Sequence, residues 1–409
     1  MPTLLQLTPD GLYCEAGDFH IDPWRPVRRA VITHAHGDHA RWGSRRYFTA
    51  AEGVGVLRGR LGADAGVHGV AWGEVLERNG VRVSLHPAGH ILGSAQVRVE
   101  HRGEVWVVTG DYKTERDPTC APFEPLRCHT LVTESTFGLP IYRWRPQAEV
   151  FAEIDDWWRT NVAAGRTSVL FAYALGKAQR LMAGVDASIG PILLHGAMSR
   201  FTRAYREAGV ALPEARWADD ASIKATKAGQ SRALVLAPPS AQGSSWMRRF
   251  DPSSTAFASG WMQIRGARRR QALDRGFAIS DHADWDGLLA TVRATGAERV
   301  WVTHGYSAVL ARWLREQGLD ASSVATRWEG EGGAEGEALE SEGGRAGGQE
   351  GGTGDEAPRA EGELAAPTEQ EDGRSPDEPG GPPSSTPALP PSADAFAEEL
   401  WADNGGDDA

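Results

Sequence analysis

Ala30-Val31-Ile32-Thr33-His34-Ala35-His36-Gly37-Asp38-His39 is the stretch on which the reading turns. An apolar run of strand character ends in a loop carrying three imidazoles and one carboxylate within six residues. Imidazole nitrogen and carboxylate oxygen are good ligands for zinc and similar divalent ions. The spacing can turn His34 and His36 toward one ion and Asp38 and His39 toward a second.

Working outward, further His and Asp residues follow other apolar runs and sit beside glycine. His90 lies in Pro87-Ala-Gly-His-Ile-Leu-Gly-Ser94, Asp111 in Thr109-Gly-Asp-Tyr112, and His304 in Trp301-Val-Thr-His-Gly305. Singly, each reads as a structural His or a turn Asp. Together with the first loop they form a ligand set: His34, His36 and His90 for one ion, Asp38, His39 and His304 for the other, Asp111 bridging. Two such ions can clamp the attacking and leaving oxygens of an in-line phosphoryl displacement. Glu134, in Thr133-Glu-Ser-Thr-Phe-Gly138, and His282, in Ser280-Asp-His-Ala-Asp284, read as a proton-delivery pair for the leaving 3′ oxygen. The alternative is that both merely support ligands by hydrogen bonds. Asp22 is placed to hold a ligand imidazole in orientation.

The surrounding elements follow from periodicity. Strands are expected at Ala30–Thr33, Val81–Leu85, Val105–Thr109 and Leu131–Thr133. Residues 146–250 change to β/α alternation, with a helix over Ala148–Ala164 closed by Gly165, a strand over Ser168–Tyr173, a helix over Gly176–Met182, and strands at Pro191–Leu194 and Ala233–Ala237. This predicts a separate α/β unit inserted into the first. Residues 251–328 return to the first unit, with strands at Ala256–Ser259 and Val300–Thr303 and helices at Asp284–Thr295 and Ser307–Gln317.

From Glu329 the composition becomes Gly, Glu, Pro and Ser, which cannot bury enough apolar surface to fold, so 329–392 is expected to be a disordered acidic linker. In 393–409, Phe396, Leu400 and Trp401 are spaced for a short helix docking on a partner. The net charge of −12 over 409 residues hides an asymmetry. From Glu329 onward there are 22 acidic and 3 basic residues, whereas residues 1–328 hold 40 basic and 33 acidic ones. A mildly basic body suits a phosphate-binding enzyme. Lys113, Lys177, Arg180 and Arg200 are the candidate backbone contacts, with Arg268-Arg269-Arg270 as a further basic cluster. There is no apolar run long enough to span a membrane and no secretion signal, and the three cysteines lack a CxxC pair, so a cytoplasmic protein with reduced thiols is expected.

The set HAHGDH, GHILGS, GDY, TESTFG, SDHADW and VTHG, in this order, resembles the metallo-β-lactamase superfamily and specifically its β-CASP nuclease branch, over about residues 1–325. That branch includes the cleavage-and-polyadenylation endonuclease, RNase J and DNA nucleases of the Artemis type. The resemblance implies an α/β fold: an αββα metallo-β-lactamase sandwich (1–145 and 251–328) with an inserted β-CASP cap (146–250) and the active site in the cleft between them. By the same resemblance Glu134 falls on the accessory acid, His282 on the accessory histidine, and His304 on the C-terminal metal ligand. Two divalent ions, zinc or in its place manganese, are implied. Within the branch, Tyr173-Ala-Leu-Gly-Lys-Ala-Gln-Arg180 and SDHADW are similar to bacterial ligase-associated DNA exonucleases, also known as mRNA 3′-end processing factors. This favours a DNA exonuclease working with DNA ligase or helicase repair proteins, whereas the imidazole at 304 pulls toward RNA processing. A small-molecule hydrolase of the same fold is the competing reading, opposed by the inserted unit and by the Glu134/His282 pair. A catalytically silent binding subunit is opposed by the complete ligand set.

Overall fold

The structure, a computed structural model, describes residues 3–228, 232–264, 273–328 and Trp401. Arg268–Arg270, Phe396, Leu400 and the 329–392 linker lie outside the described residues.

The fold is mixed α/β, built on three sheets. The first runs in sequence order through β1 (Gln6–Thr8), β2 (Gly11–Cys14), β3 (Phe19–Ile21), β4 (Arg29–Val31), β5 (Arg46–Ala50) and β6 (Val67–Val70), antiparallel up to β3 and parallel thereafter. The second begins as an antiparallel meander of β7 (Val75–Arg78), β8 (Val81–Pro87), β9 (Ala95–His101) and β10 (Glu104–Val108), then turns parallel at β11 (Thr130–Ser135). The third sheet is parallel throughout: β12 (Thr167–Phe171), β13 (Ile192–Leu194), β14 (Ala215–Trp217), β15 (Leu234–Ala237), β16 (Ser253–Ala258) and β17 (Arg275–Phe277), ordered β14-β13-β15-β12-β16-β17. The chain then returns to the second sheet with β18 (Arg299–Gly305) beside β11, and β19 (Asp320–Ser323) at its edge.

Local sequence explains most of these elements. Leu234-Val235-Leu236-Ala237 is buried at all four positions, as an interior parallel strand covered on both faces must be. Helix Gln147–Ala163 buries Val150, Ile154, Trp157 and Trp158 on one side, and Gly165 beyond its end takes φ +68°. Helix Trp285–Thr295 is capped by the Asp284 carboxylate, which accepts from Gly287 N–H at 2.8 Å, and closes on left-handed Gly296.

Two sheets share one core. Leu12, Phe19, Ile21, Val31 and Phe48 of the first cluster with Leu76, Val83, Val97, Trp106 and Val132 of the second. The other side of the second sheet, through Leu131, Val300 and Val302, packs on helices 285–295 and 307–316. Ala30 and Tyr47 of the first sheet pack on helices 54–61 and 199–207. No helix among the described residues is long and apolar enough to cross a membrane.

Two expectations are corrected. The strand expected at 256–259 does not rejoin the first unit. Ser253–Ala258 aligns in parallel with Thr167–Phe171, and Arg275–Phe277 follows it, so the third sheet extends past residue 250. Backbone pairing of this kind leaves no local mark, because an apolar strand suits either sheet. Trp401, expected on a partner, is fully buried in the chain's own core. It lies 5.1 Å from the Phe19 ring and 4.8 Å from the Phe48 ring, and its carbonyl accepts from Arg78 at 3.2 Å.

Candidate active site

The site forms where loops leave the ends of strands in the two core-sharing sheets. Asp22, after β3, holds the first loop from behind. Its Oδ1 accepts the Thr33 N–H at 2.8 Å and its Oδ2 accepts Thr33 Oγ1–H and His39 Nδ1–H, the latter at 2.7 Å. Gly110, at φ +56°, lets the Asp111 turn press onto this loop, since a Cβ there would lie 2.6 Å from Thr33. Asp111 is 1% exposed and central. Its Oδ1 is 2.9 Å from His304 Nε2 and 3.7 Å from His39 Nε2, and its Oδ2 is 3.4 Å from His34 Nε2 and 3.9 Å from His90 Nε2.

The hydrogen bonds assign the imidazole tautomers. His34 Nδ1–H donates to Thr33 Oγ1, His36 Nε2–H to the Leu175 carbonyl, His90 Nδ1–H to the Asp281 carbonyl and His39 Nδ1–H to Asp22. Each ring therefore turns its other nitrogen to the interior. His36 Nδ1 and His90 Nε2 stand 3.0 Å apart, and His34 Nε2, His39 Nε2, His304 Nε2 and both Asp111 oxygens are buried without a hydrogen bond. Buried acceptors facing one another this closely are the donor set a divalent cation requires. Three such groups, each with its ligand atoms within 4.8 Å, result: His34, His36, His90 and Asp111; His39, Asp111 and His304; and Asp111, Glu134 and His282. Asp38 borders the second, its Oδ2 3.4 Å from His39 Nε2.

Charge balance agrees with this. Burial disfavours an ionised Asp111, yet His304, His39, His282 and His34 outweigh it and hold its carboxyl well below the ordinary range. Burial also disfavours a charged His39, but Asp38, Asp111 and Asp22 push the ring up to about 10, so the site attracts positive charge strongly.

Beside the ligands, His282 Nδ1–H is shared by both Glu134 oxygens, at 2.9 and 3.0 Å. Glu134 is itself fixed by Tyr112 N–H at 2.8 Å and by the Thr136 hydroxyl. Burial opposes a charge on His282, but Glu134 and Asp111 raise it to about 9.

No family model matches the chain. A probable DNA ligase of Opitutus terrae is 34% identical over 317 residues, 77% of this chain and 30% of that protein. Endoribonuclease YSH1 of Saccharomyces cerevisiae is 32% identical over 119 residues, 29% of this chain and 15% of that one, and cleavage and polyadenylation specificity factor subunit 3 of Dictyostelium discoideum is 29% identical over 119 residues. The chain belongs to the β-CASP branch of the metallo-β-lactamase superfamily. It spans less than a third of the length of these curated relatives. A solved structure of a protein of unknown function from Enterococcus faecalis V583 aligns with a TM-score of 0.46 at 13% identity, over 67% of this chain and 74% of that one.

In this β-CASP chain the expected phosphate contacts divide. Arg200 is exposed, with its guanidinium 4.8 Å from the Phe201 ring. Lys113, Lys177 and Arg180 are not on the surface, contrary to expectation. All three are buried, and the last two clamp Asp281 at 2.9 Å each, Arg180 also meeting Asp117 at 3.2 Å. Residue type alone cannot distinguish a solvated cation from a buried, paired one. The consequence is a positioning role, because the Asp281 carbonyl accepts from His90 and the next residue is His282.

Trp328 was also not anticipated. Its indole stacks on His39 at 5.3 Å and 15°, and its Nε1–H donates to the Asp22 carbonyl at 3.0 Å. It thus braces the His39 imidazole and the acid that orients it. Its only sequence signal is an aromatic residue just before the composition changes.

Proposed function

We propose that the chain is a metal-dependent hydrolase of nucleic-acid phosphodiesters that holds two divalent cations, zinc or in its place manganese. The observation that carries this reading is the cluster of buried His34, His39 and His304 Nε2 atoms turned on Asp111 without closing a hydrogen bond to it. His34, His36, His90 and Asp111 would hold one cation, and Asp38, His39 and His304, sharing Asp111, the other. Such a pair supplies Lewis-acid polarisation of the phosphate and of the attacking water.

The chain's own residues do the remainder. Asp22 fixes the tautomer of His39, and the Asp281 carbonyl fixes that of His90. Glu134 keeps His282 protonated near neutrality with Nδ1 engaged, leaving Nε2–H for the departing 3′ oxygen. The two core-sharing sheets with their outer helices are read as the αββα sandwich, and the third sheet as its inserted cap.

The name of the Opitutus relative and the 173–180 stretch favour a DNA exonuclease acting beside ligase or helicase repair proteins. The endoribonuclease relatives and the imidazole at 304 favour an RNA-processing role as the second reading. End-labelled DNA and RNA, single and double stranded, incubated with the protein and Zn2+ or Mn2+ separate the two. Stepwise shortening of DNA from one end is expected, and cleavage confined to RNA selects the second reading. Absence of cleavage on every substrate with either ion would sink both.

A further inference from the structure

We propose that the third-sheet unit completes one cation group and leaves the other to the shared core, so that the two cations are held separably. The segment 175–180 positions His36 and His90, and disturbing it weakens the cation of His34, His36, His90 and Asp111 alone. This rests on the two-cation reading above and assigns half of that site to a particular segment of the chain.

Two hydrogen bonds from these imidazoles converge on one end of the third sheet. The chain leaves β12 through residues 172–176 into helix Lys177–Gly184, and it leaves β17 through residues 278–282. The first exit supplies the Leu175 carbonyl, which accepts from His36 Nε2–H at 3.3 Å. The second supplies the Asp281 carbonyl, which accepts from His90 Nδ1–H at 2.8 Å. The hydrogen bond at one ring nitrogen fixes the direction of the other, so these two carbonyls aim both imidazoles.

The two exits are tied together. Lys177 Nζ donates to the Ile279 carbonyl at 3.2 Å and meets Asp281 Oδ2 at 2.9 Å. Arg180 donates to the Ser280 carbonyl and to Asp281 Oδ1, the latter at 2.9 Å. All three charged side chains are buried, and parting them would leave a charge unpaired in the interior. The segment is also stiff. The Gln179 side chain accepts the Gly176 N–H at 2.8 Å and donates to the Ala174 carbonyl at 3.1 Å. Gly176, at φ +87°, presses on the residue after His90: a Cβ there would lie 2.3 Å from Ile91 Cγ2. The second group is aimed from elsewhere, since His39 is held by Asp22 and Trp328, both outside the third-sheet unit.

The test uses the full chain loaded with Zn2+, titrated with a chromophoric chelator, the bound ion counted by mass spectrometry. The wild type should hold two equivalents. Lys177→Met should hold one of them about 10- to 100-fold more weakly, the range for losing a partner that orients a ligand, and keep the other as in the wild type. Gly176→Ala retains every charge but displaces the same segment, and should weaken the same equivalent, which keeps the proposal testable if Lys177→Met does not fold. Trp328→Ala should weaken the other equivalent, and the double variant Lys177→Met/Trp328→Ala should hold both weakly. A merely structural role for the segment would instead move both equivalents together. Weakening of both alike, retention of both in Lys177→Met and Gly176→Ala, or a double variant that still holds one equivalent tightly would overturn the proposal. Fewer than two equivalents in the wild type defeats the two-cation reading itself, and separability falls with it. Two separable equivalents without cleavage of any nucleic acid refute only the nuclease.

Discussion

Replacing Glu134 by Gln should move the alkaline limb of the activity profile to lower pH. In the structure Glu134 is the nearest anion to His282, both oxygens within 3.0 Å of Nδ1, and it is the leading attraction that raises the ring to about 9 against the opposing effect of burial. Without the carboxylate charge only Asp111 still opposes burial, and the ring falls from about 9 toward its ordinary 6.5. The difference is worth about 3 kcal/mol at 1.36 kcal/mol per pH unit. The sign follows from the direction: a raised pKa means that the proton is retained below about 9, so both its stabilising effect and its availability are full below 6.5 and lost as pH rises through about 9. At pH 7.5 the protonated fraction falls from about 97% to about 9%, roughly a tenfold loss of rate that acidification recovers. Cations bound at Asp111 withdraw part of the charge that raises His282, so the displacement between variant and wild type is the quantity to measure. Profiles of kcat against pH, with metal content by mass spectrometry at each end, supply it. A limb that coincides with the wild type, or a rate loss that tracks metal loss, would refute the assignment of Glu134 and His282 as a proton-delivery pair.

Other changes probe separate parts of the site. Asp38→Ala should abolish cleavage of every substrate, and residual turnover with full metal content would remove Asp38 from the ligand set. His282→Ala should slow cleavage by about 10²–10⁴-fold while metal content stays near wild type if, as proposed, His282 donates a proton, and loss of metal would instead make it a ligand. Trp328→Ala should weaken metal retention about 10- to 100-fold in chelator competition, with Trp328→Phe restoring most of it, because the ring braces His39. Trp401→Ala should cost about 3–5 kcal/mol in urea unfolding, as removal of a fully buried indole does, and unchanged stability would contradict its place against Phe19 and Phe48.

The sequence alone determined the parts of this protein whose signal is local. Apolar runs at strand period, the helical face of Val150, Ile154 and Trp158, and the donor-rich loop at His34–His39 each lie within a few residues of chain, where side-chain type and spacing are sufficient. His90, Asp111 and His304 were legible for the same reason, each following its own apolar strand beside a glycine. Only the tertiary structure decided what depends on partners far away in sequence. Lys177 and Arg180 are cations in any reading, but only the approach of Asp281, about a hundred positions later, makes them interior braces instead of surface contacts. Trp328 is one aromatic among many until folding lays it on His39, and Trp401 reads as a free anchor until the core of the first two sheets closes over it. Local pattern specifies which groups can act; the burial and pairing that set their charge and orientation arise only when distant segments of the chain meet.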